Sequence, residues 1–161
     1  MFVGVSHRAP WGIGAAVAAV LVGFGTGCAP LGVACGETTL EARPATVVKG
    51  KGGEKMVRFE ARLIDSHGDP VPGISVSMGA DYRYTSEHPA GRARVVAAGT
   101  GDDGVAAGEV SFEEIQLTTA GGVVQPTWTA TTDGTEGANG ILYCPATAKG
   151  PLPEEVQNIG T

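Results

Sequence analysis

Three polar residues at alternate positions, Asp65, His67 and Asp69, are of the types that hold metal ions or move protons. Carboxylates and imidazoles are common metal ligands, and His67 with His88 could supply the base of a hydrolase. A metal site would need further ligands that the sequence does not identify, whereas Asp and Gly are also the residues that tight turns require. We interpret residues 65–70 as a turn, and an envelope metal-binding protein or hydrolase using these groups is the alternative.

Other groups that could perform chemistry have simpler explanations. Asp102 and Asp103 lack the remaining alternating ligands of a calcium loop, so they predict a second turn. Glu113 and Glu114 would diverge on a strand, unlike the facing carboxylates of a glycosidase, and are expected at a solvated edge. The serines that could act as nucleophiles, none of them in a recognisable nucleophile turn, are Ser66, Ser77 and Ser86. The sequence therefore predicts no catalytic activity, no metal and no cofactor.

The segment formed by Tyr82, Arg83 and Tyr84 has the composition of a recognition surface. Tyrosine and arginine are enriched at protein interfaces and among the residues that dominate binding energy. Two tyrosines two residues apart fall on one face of a strand, so covering the core is the alternative. We single out these three residues as the candidate surface for a protein or glycan partner.

The elements that must position these residues begin with an apolar leader. Residues 9–36 contain no charged side chain, and the apolar run 11–24 is preceded by Arg8. This order is typical of a secretory signal peptide. An uncleaved transmembrane helix is the alternative, but glycines and a proline crowd the second half of the segment and disfavour a continuous helix.

The end of the leader, Gly25-Thr26-Gly27-Cys28, resembles a bacterial lipoprotein signal. In that family the cysteine is lipidated and becomes the new N-terminus. The position three residues before the cysteine is usually leucine-like, and here it is glycine. A second candidate cleavage site ends at Cys35, farther from the apolar run. The resemblance implies a lipid on Cys28, an anchor in the membrane and a location on the outer face of the cell-envelope membrane, or else secretion.

The rest of the chain predicts short antiparallel strands and no helix. The 26 glycines and 10 prolines imply many turns. Residues 57–63 alternate apolar and charged side chains, which indicates a half-buried strand, and Trp128 in the alternating run 126–130 should point inward. The expected strands are 40–48, 57–63, 74–78, 92–97, 109–112, 126–130 and 140–144.

Three stretches, 63–76, 101–106 and 128–131, together resemble the bacterial immunoglobulin-like domains of invasin- and intimin-type adhesins. The best-matched part is the G-D-P-V-P-G-I-S-V run, in which a turn leads into a strand. Transthyretin-like and carboxypeptidase-regulatory sandwiches have a similar turn, so the family within the β-sandwiches stays open. The resemblance implies an all-β fold, a single immunoglobulin-like sandwich of about seven antiparallel strands. The expected organisation is signal peptide 1–27, tether 28–39, sandwich 40–148 and flexible tail 149–161.

The three cysteines and the charge complete the sequence-based hypothesis. Lipidation would use Cys28, and the first and last strands of a sandwich lie close together, so we predict a disulfide between Cys35 and Cys144. A buried Cys144 and a free Cys35 are the alternative. The net charge of −6 without a basic stripe argues against a nucleic-acid partner. We expect an exported, lipid-anchored surface module that binds a partner or serves a structural role.

Overall fold

The computed structural model of the chain describes residues 34–83, 90–118 and 122–158. These residues form strands and two short helices. The elements are β1 (Thr38–Ala42), β2 (Thr46–Lys49), β3 (Lys55–Asp65), β4 (Ser75–Arg83), β5 (Ala90–Gly99), β6 (Val105–Ser111), α1 (Phe112–Thr118), β7 (Val123–Thr132), β8 (Ala146–Pro151) and α2 (Glu154–Gln157).

Two antiparallel sheets face each other. In the first, β3 is central, with β6 on one side and both β1 and β2 on the other. β1 pairs with the second half of β3 and β2 with the first half, so they are two halves of one edge strand. The second sheet has the order β5-β4-β7-β8. The eight strands occupy seven positions, which confirms the predicted all-β immunoglobulin-like sandwich of about seven antiparallel strands.

The core lies between the sheets and follows the alternation in the sequence. Val57, Phe59, Ala61 and Leu63 of β3 are all buried, whereas the charged residues between them face outward. Trp128 of β7 is fully buried, as predicted, and its ring lies 5.0 Å from that of Phe59 across the sandwich. Truncating either ring to alanine would cost about 3–5 kcal/mol of stability by the usual cost of large-to-small substitutions.

Two of the loops that connect the sheets, 66–74 and 100–104, are held together by hydrogen bonds to the buried Thr100. The side chain of Thr100 donates a hydrogen bond to the carbonyl of Val71 (2.7 Å) and accepts one from the backbone N–H of Ile74 (2.9 Å). Its backbone N–H donates to the carbonyl of Ile74, and its carbonyl accepts from the N–H of Gly73. The turn before β4 is thereby held against the turn before β6.

The folded unit extends beyond the expected range 40–148. The predicted last strand, 140–144, is wrong, because β8 lies at Ala146–Pro151 and the apolar residues before it belong to a small hairpin closed by the bridge between Glu136 and Leu142. The expected flexible tail also needs correction up to residue 158. Leu152 and Val156 are buried in the core, and α2 packs with them. At the other end, β1 begins inside the expected tether.

Helix α1 corrects the expectation that Glu113 and Glu114 diverge on a strand. The hydroxyl of Ser111 accepts a hydrogen bond from the backbone N–H of Glu114 (3.1 Å), and the Glu114 carboxylate accepts one from the N–H of Ser111 (3.4 Å). This reciprocal pair is a capping box, which satisfies N–H groups at the start of a helix. The sequence signal for this helix start is Ser-x-x-Glu at residues 111–114, which also fits the end of a strand.

We predict that Gly104→Ala destabilises the protein by about 2–3 kcal/mol, more than Gly68→Ala does. Both glycines have positive φ, 73° and 86°, which is unfavourable for alanine. A Cβ at position 104 would also lie 2.5 Å from the carbonyl oxygen of Leu63, whereas one at position 68 would meet nothing within 4 Å. Denaturant unfolding of both variants measures the difference, and equal losses of stability would contradict the steric argument.

Candidate functional site

The candidate site residues lie at two opposite ends of the sandwich. One end, the disulfide pole, comprises residues 34–37 and the loops 66–74, 100–104 and 133–145. The other, the recognition pole, comprises the turn 50–54, the end of β4, helix α1, the start of β7 and helix α2. Strand β4 starts at the disulfide pole and ends at the recognition pole. Its nine residues separate the two poles by about 30 Å at the usual rise per residue of a strand.

Tyr82 and Arg83 end β4 at the recognition pole, paired with Val124 and Val123 of β7. Tyr82 is half-buried and packs against the core, which agrees with the alternative interpretation for this tyrosine, and Arg83 is exposed. Tyr84 lies outside the described residues. Of the three residues predicted to form a recognition surface, the structure therefore shows Arg83 exposed and Tyr82 half-buried beside it.

Two large apolar side chains at the same pole were missed by sequence reasoning. Leu117 of α1 is 72% exposed and Val123 at the start of β7 is 58% exposed. Neither stands out in the sequence, because each lies in a stretch without clear alternation. Val123 pairs with Arg83, and Leu117 is exposed at the same end, so the recognition pole presents apolar and cationic groups of the kind that protein partners cover.

A carboxylate on the outer face of the second sheet positions this part of β4. The side chain of Asp81 is only 14% exposed and accepts hydrogen bonds from the hydroxyls of Thr127 (2.9 Å) and Thr129 (2.7 Å) of β7. Lys149 of β8 lies 3.4 Å from the same carboxylate. The cluster joins three strands directly before Tyr82. Asp81 does not stand out in the sequence, although the alternating threonines of β7 mark the same face.

The disulfide pole is acidic. Its carboxylates are Glu37, Asp69, Asp102, Asp103, Asp133 and Glu136, with Asp65 beside them at the end of β3, and the same described segments contain no lysine or arginine. The recognition pole mixes signs, with Lys49, Lys51, Lys55 and Arg83 among Glu54, Glu113, Glu114, Glu154 and Glu155. Much of the net negative charge is thus concentrated where the N-terminal segment enters the fold.

The run Asp65, His67, Asp69 forms a turn, as its composition indicated. The Asp65 carboxylate accepts hydrogen bonds from the backbone N–H groups of His67 (2.8 Å) and Asp69 (3.0 Å). These two hydrogen bonds stabilise the ionised form of the carboxylate and hold the pKa of Asp65 below its ordinary value. The bond from the His67 N–H has the larger effect. The His67 side chain is 82% exposed, and His88 lies outside the described residues. Asp103 closes the second turn through the N–H of Val105.

The predicted disulfide between Cys35 and Cys144 is present, with the two Cα atoms 5.1 Å apart. Backbone hydrogen bonds flank it, from the Gly36 N–H to the Leu142 carbonyl (2.8 Å) and from the Cys144 N–H to the Gly36 carbonyl (3.0 Å). Cys144 was expected inside the last strand, but it lies just before β8. The disulfide therefore joins the segments that lead into β1 and β8.

Comparisons of the chain with protein-family models, with curated proteins and with solved structures gave no match. Within the described residues no group of three His, Cys, Asp or Glu side chains could hold a metal ion. None of the helices in the described ranges is long and apolar enough to cross a membrane. The predicted signal peptide 1–27 and Cys28 lie outside those ranges.

We predict that the carboxyl group of Asp65 titrates below the ordinary aspartate range. A group whose folded pKa is depressed stabilises the fold above its unfolded pKa, and this stabilisation is lost as the pH falls through the folded pKa. Asp65→Asn should lack this loss of stability as the pH falls below about 4, because the amide oxygen accepts the same hydrogen bonds but does not titrate. NMR titration of the carboxyl carbon measures the pKa, and an ordinary value would refute the assignment.

Proposed function

We propose that the protein is an exported surface module that is anchored through its disulfide pole and binds a partner protein through its recognition pole, without catalysis. The observation that supports this most strongly is the opposition of the two poles: the N-terminal segment enters at one, and Arg83, Leu117 and Val123 are exposed at the other. A module tethered at one end presents the opposite end to the surroundings.

The disulfide supports export. Structural disulfides persist in oxidising compartments and are rare in the cytosol. The bond between Cys35 and Cys144 closes a long stretch of chain, with a sequence separation of 109, and in the chain-entropy model bonds that close long loops stabilise the fold most. This agrees with the leader in residues 1–27 and with its resemblance to a lipoprotein signal, which makes lipid on Cys28 part of the proposal.

The charge of the disulfide pole supports display away from the membrane. A tether of residues 28–34 reaches at most about 25 Å. Anionic membrane surfaces have potentials of about −30 mV, and these decay over a Debye length of about 8 Å at physiological salt. The acidic side chains of this pole, including Asp102, Asp103 and Glu136, would be repelled at close approach. Repulsion would favour arrangements in which the recognition pole points outward.

The recognition pole favours a protein partner over a glycan. Glycans are bound largely through hydrogen bonds and aromatic platforms, whereas Leu117 and Val123 are aliphatic and exposed. Arginine is enriched among the residues that dominate protein binding, and exposed apolar side chains beside it are the kind of surface that a protein partner covers. We also infer a relation to the invasin- and intimin-type immunoglobulin-like domains, supported by the G-D-P-V-P-G-I turn that connects β3 to β4 and by the strand order.

We predict that the mature protein begins at Cys28 and that this residue is lipidated. The apolar run 11–24 followed by small residues and a cysteine is the motivating pattern. Mass spectrometry of protein from the membrane fraction measures both features. Recovery of residues 1–27, or of unmodified Cys28 in protein that still sediments with the membrane, would reject the lipid anchor.

We predict that Arg83→Ala weakens binding of the mature protein to its partner in envelope or host-surface extracts by about tenfold, equivalent to about 1.4 kcal/mol. Arg62→Ala is the matched control, because Arg62 is a half-buried arginine on the outer face of β3, in the part of the strand that lies toward the disulfide pole. The titrated pull-down should distinguish the two variants. Equal binding by both would exclude the recognition pole as the binding surface.

A further inference from the structure

We propose that the Cys35–Cys144 disulfide is a mechanical junction that divides a pull on the N-terminus between the two sheets of the sandwich. This inference rests on the proposed function, because an anchored module that binds a partner is pulled between its two poles. The inference follows from the positions of the two cysteines. Cys35 lies shortly before β1 and Cys144 shortly before β8, and these strands belong to different sheets.

A pull on the N-terminal segment acts along β1. This strand starts at the disulfide pole and runs toward the recognition pole, antiparallel to β3. Its ladder hydrogen bonds are perpendicular to the strands, so a pull along the axis loads the five residues of β1 in shear. Bonds loaded in shear must yield together, whereas bonds loaded one after another yield singly.

Without the disulfide, β1 would receive nearly the whole pull. The other hydrogen bonds of the entering segment, among the described residues, are the two backbone bonds of Gly36 and a 3.4 Å bond from the Thr38 hydroxyl to the Cys144 carbonyl. β1 is half of an edge strand and belongs to the first sheet. Arg83 belongs to the second sheet, so the pull would reach the recognition pole only through the packed core and two hydrogen bonds from the link after β1, from the Trp128 indole N–H to the Arg43 carbonyl and from the Ala45 N–H to the Pro151 carbonyl.

With the disulfide, the second sheet receives part of the pull directly, through the sulfur–sulfur bond and then through paired strands. Cys144 lies directly before β8, which also runs from the disulfide pole toward the recognition pole and pairs over its six residues with β7. β7 pairs in turn with β4, the strand that ends in Arg83. The Asp81 cluster joins these same three strands through Thr127, Thr129 and Lys149. The path from anchor to recognition pole therefore stays within one sheet.

Force spectroscopy with two pulling directions tests the junction. One handle is fused before Ala34 and the other is attached through an azide-bearing residue at position 83; the control molecule is pulled between position 83 and the C-terminus. Each folded molecule is held at constant force before and after addition of reductant, so the reduced form need not refold. We expect reduction to speed unfolding by about tenfold along the first direction and by less than about threefold along the control direction, since forced unfolding reports the unfolding rate.

The control direction separates the junction from ordinary stabilisation. A disulfide that acted only on overall stability would change the unfolding rate equally in both directions, and that result would overturn the proposal, as would no effect of reduction along the first direction. Cys35→Ser/Cys144→Ser should reproduce the reduced wild type. The handles replace lipid and partner, so a failed junction is distinguishable from a failed proposed function, which the state of Cys28 and the Arg83→Ala pull-down decide.

Discussion

The packing of the two sheets against each other depends on the indole of Trp128. Its ring fills the space against Phe59 of the opposite sheet, and its buried N–H needs an acceptor because an unpaired buried donor is costly. That acceptor is the carbonyl of Arg43 at 3.0 Å, in the link between β1 and β2. The edge strand is interrupted at this link. The neighbouring Ala45 N–H donates to the carbonyl of Pro151, which joins the edge of one sheet to β8 of the other.

The number and direction of the strands determine which segments lie at each pole. An edge strand that starts at the disulfide pole, followed by alternating up and down strands, brings the chain to its last helix at the recognition pole. The acidic loops gather at the first pole together with the exposed Ile141, and Arg83, Leu117 and Val123 are exposed at the second. Anchoring, charge and binding surface are thereby separated along the strand axis, and the disulfide lies where the anchored segment enters.

Local patterns predicted the parts of the fold that a few neighbouring residues decide. The alternation in residues 57–63, the turn formers of 65–70 and the inward Trp128 each reflect a side-chain period or a backbone preference, and all three agree with the structure. Where two local patterns compete, the prediction failed. Ser111 to Glu114 matches both the end of a strand and a capping box, and the reciprocal hydrogen bonds give the helix. Residues 140–144 alternate like a strand but close a hairpin before β8.

By itself the sequence determined an all-β chain with defined turns and a paired Cys35 and Cys144. The tertiary structure alone decided which residues meet and which face solvent. Asp81 is covered because β7 supplies Thr127 and Thr129 from 46 and 48 positions away, and Leu117 is exposed because α1 turns Ile115, and not Leu117, into the core. The physical reason is that the alternation of apolar and polar residues depends on neighbours in the chain. The burial of a side chain depends instead on which strands pack against it, and these can be far away in the sequence.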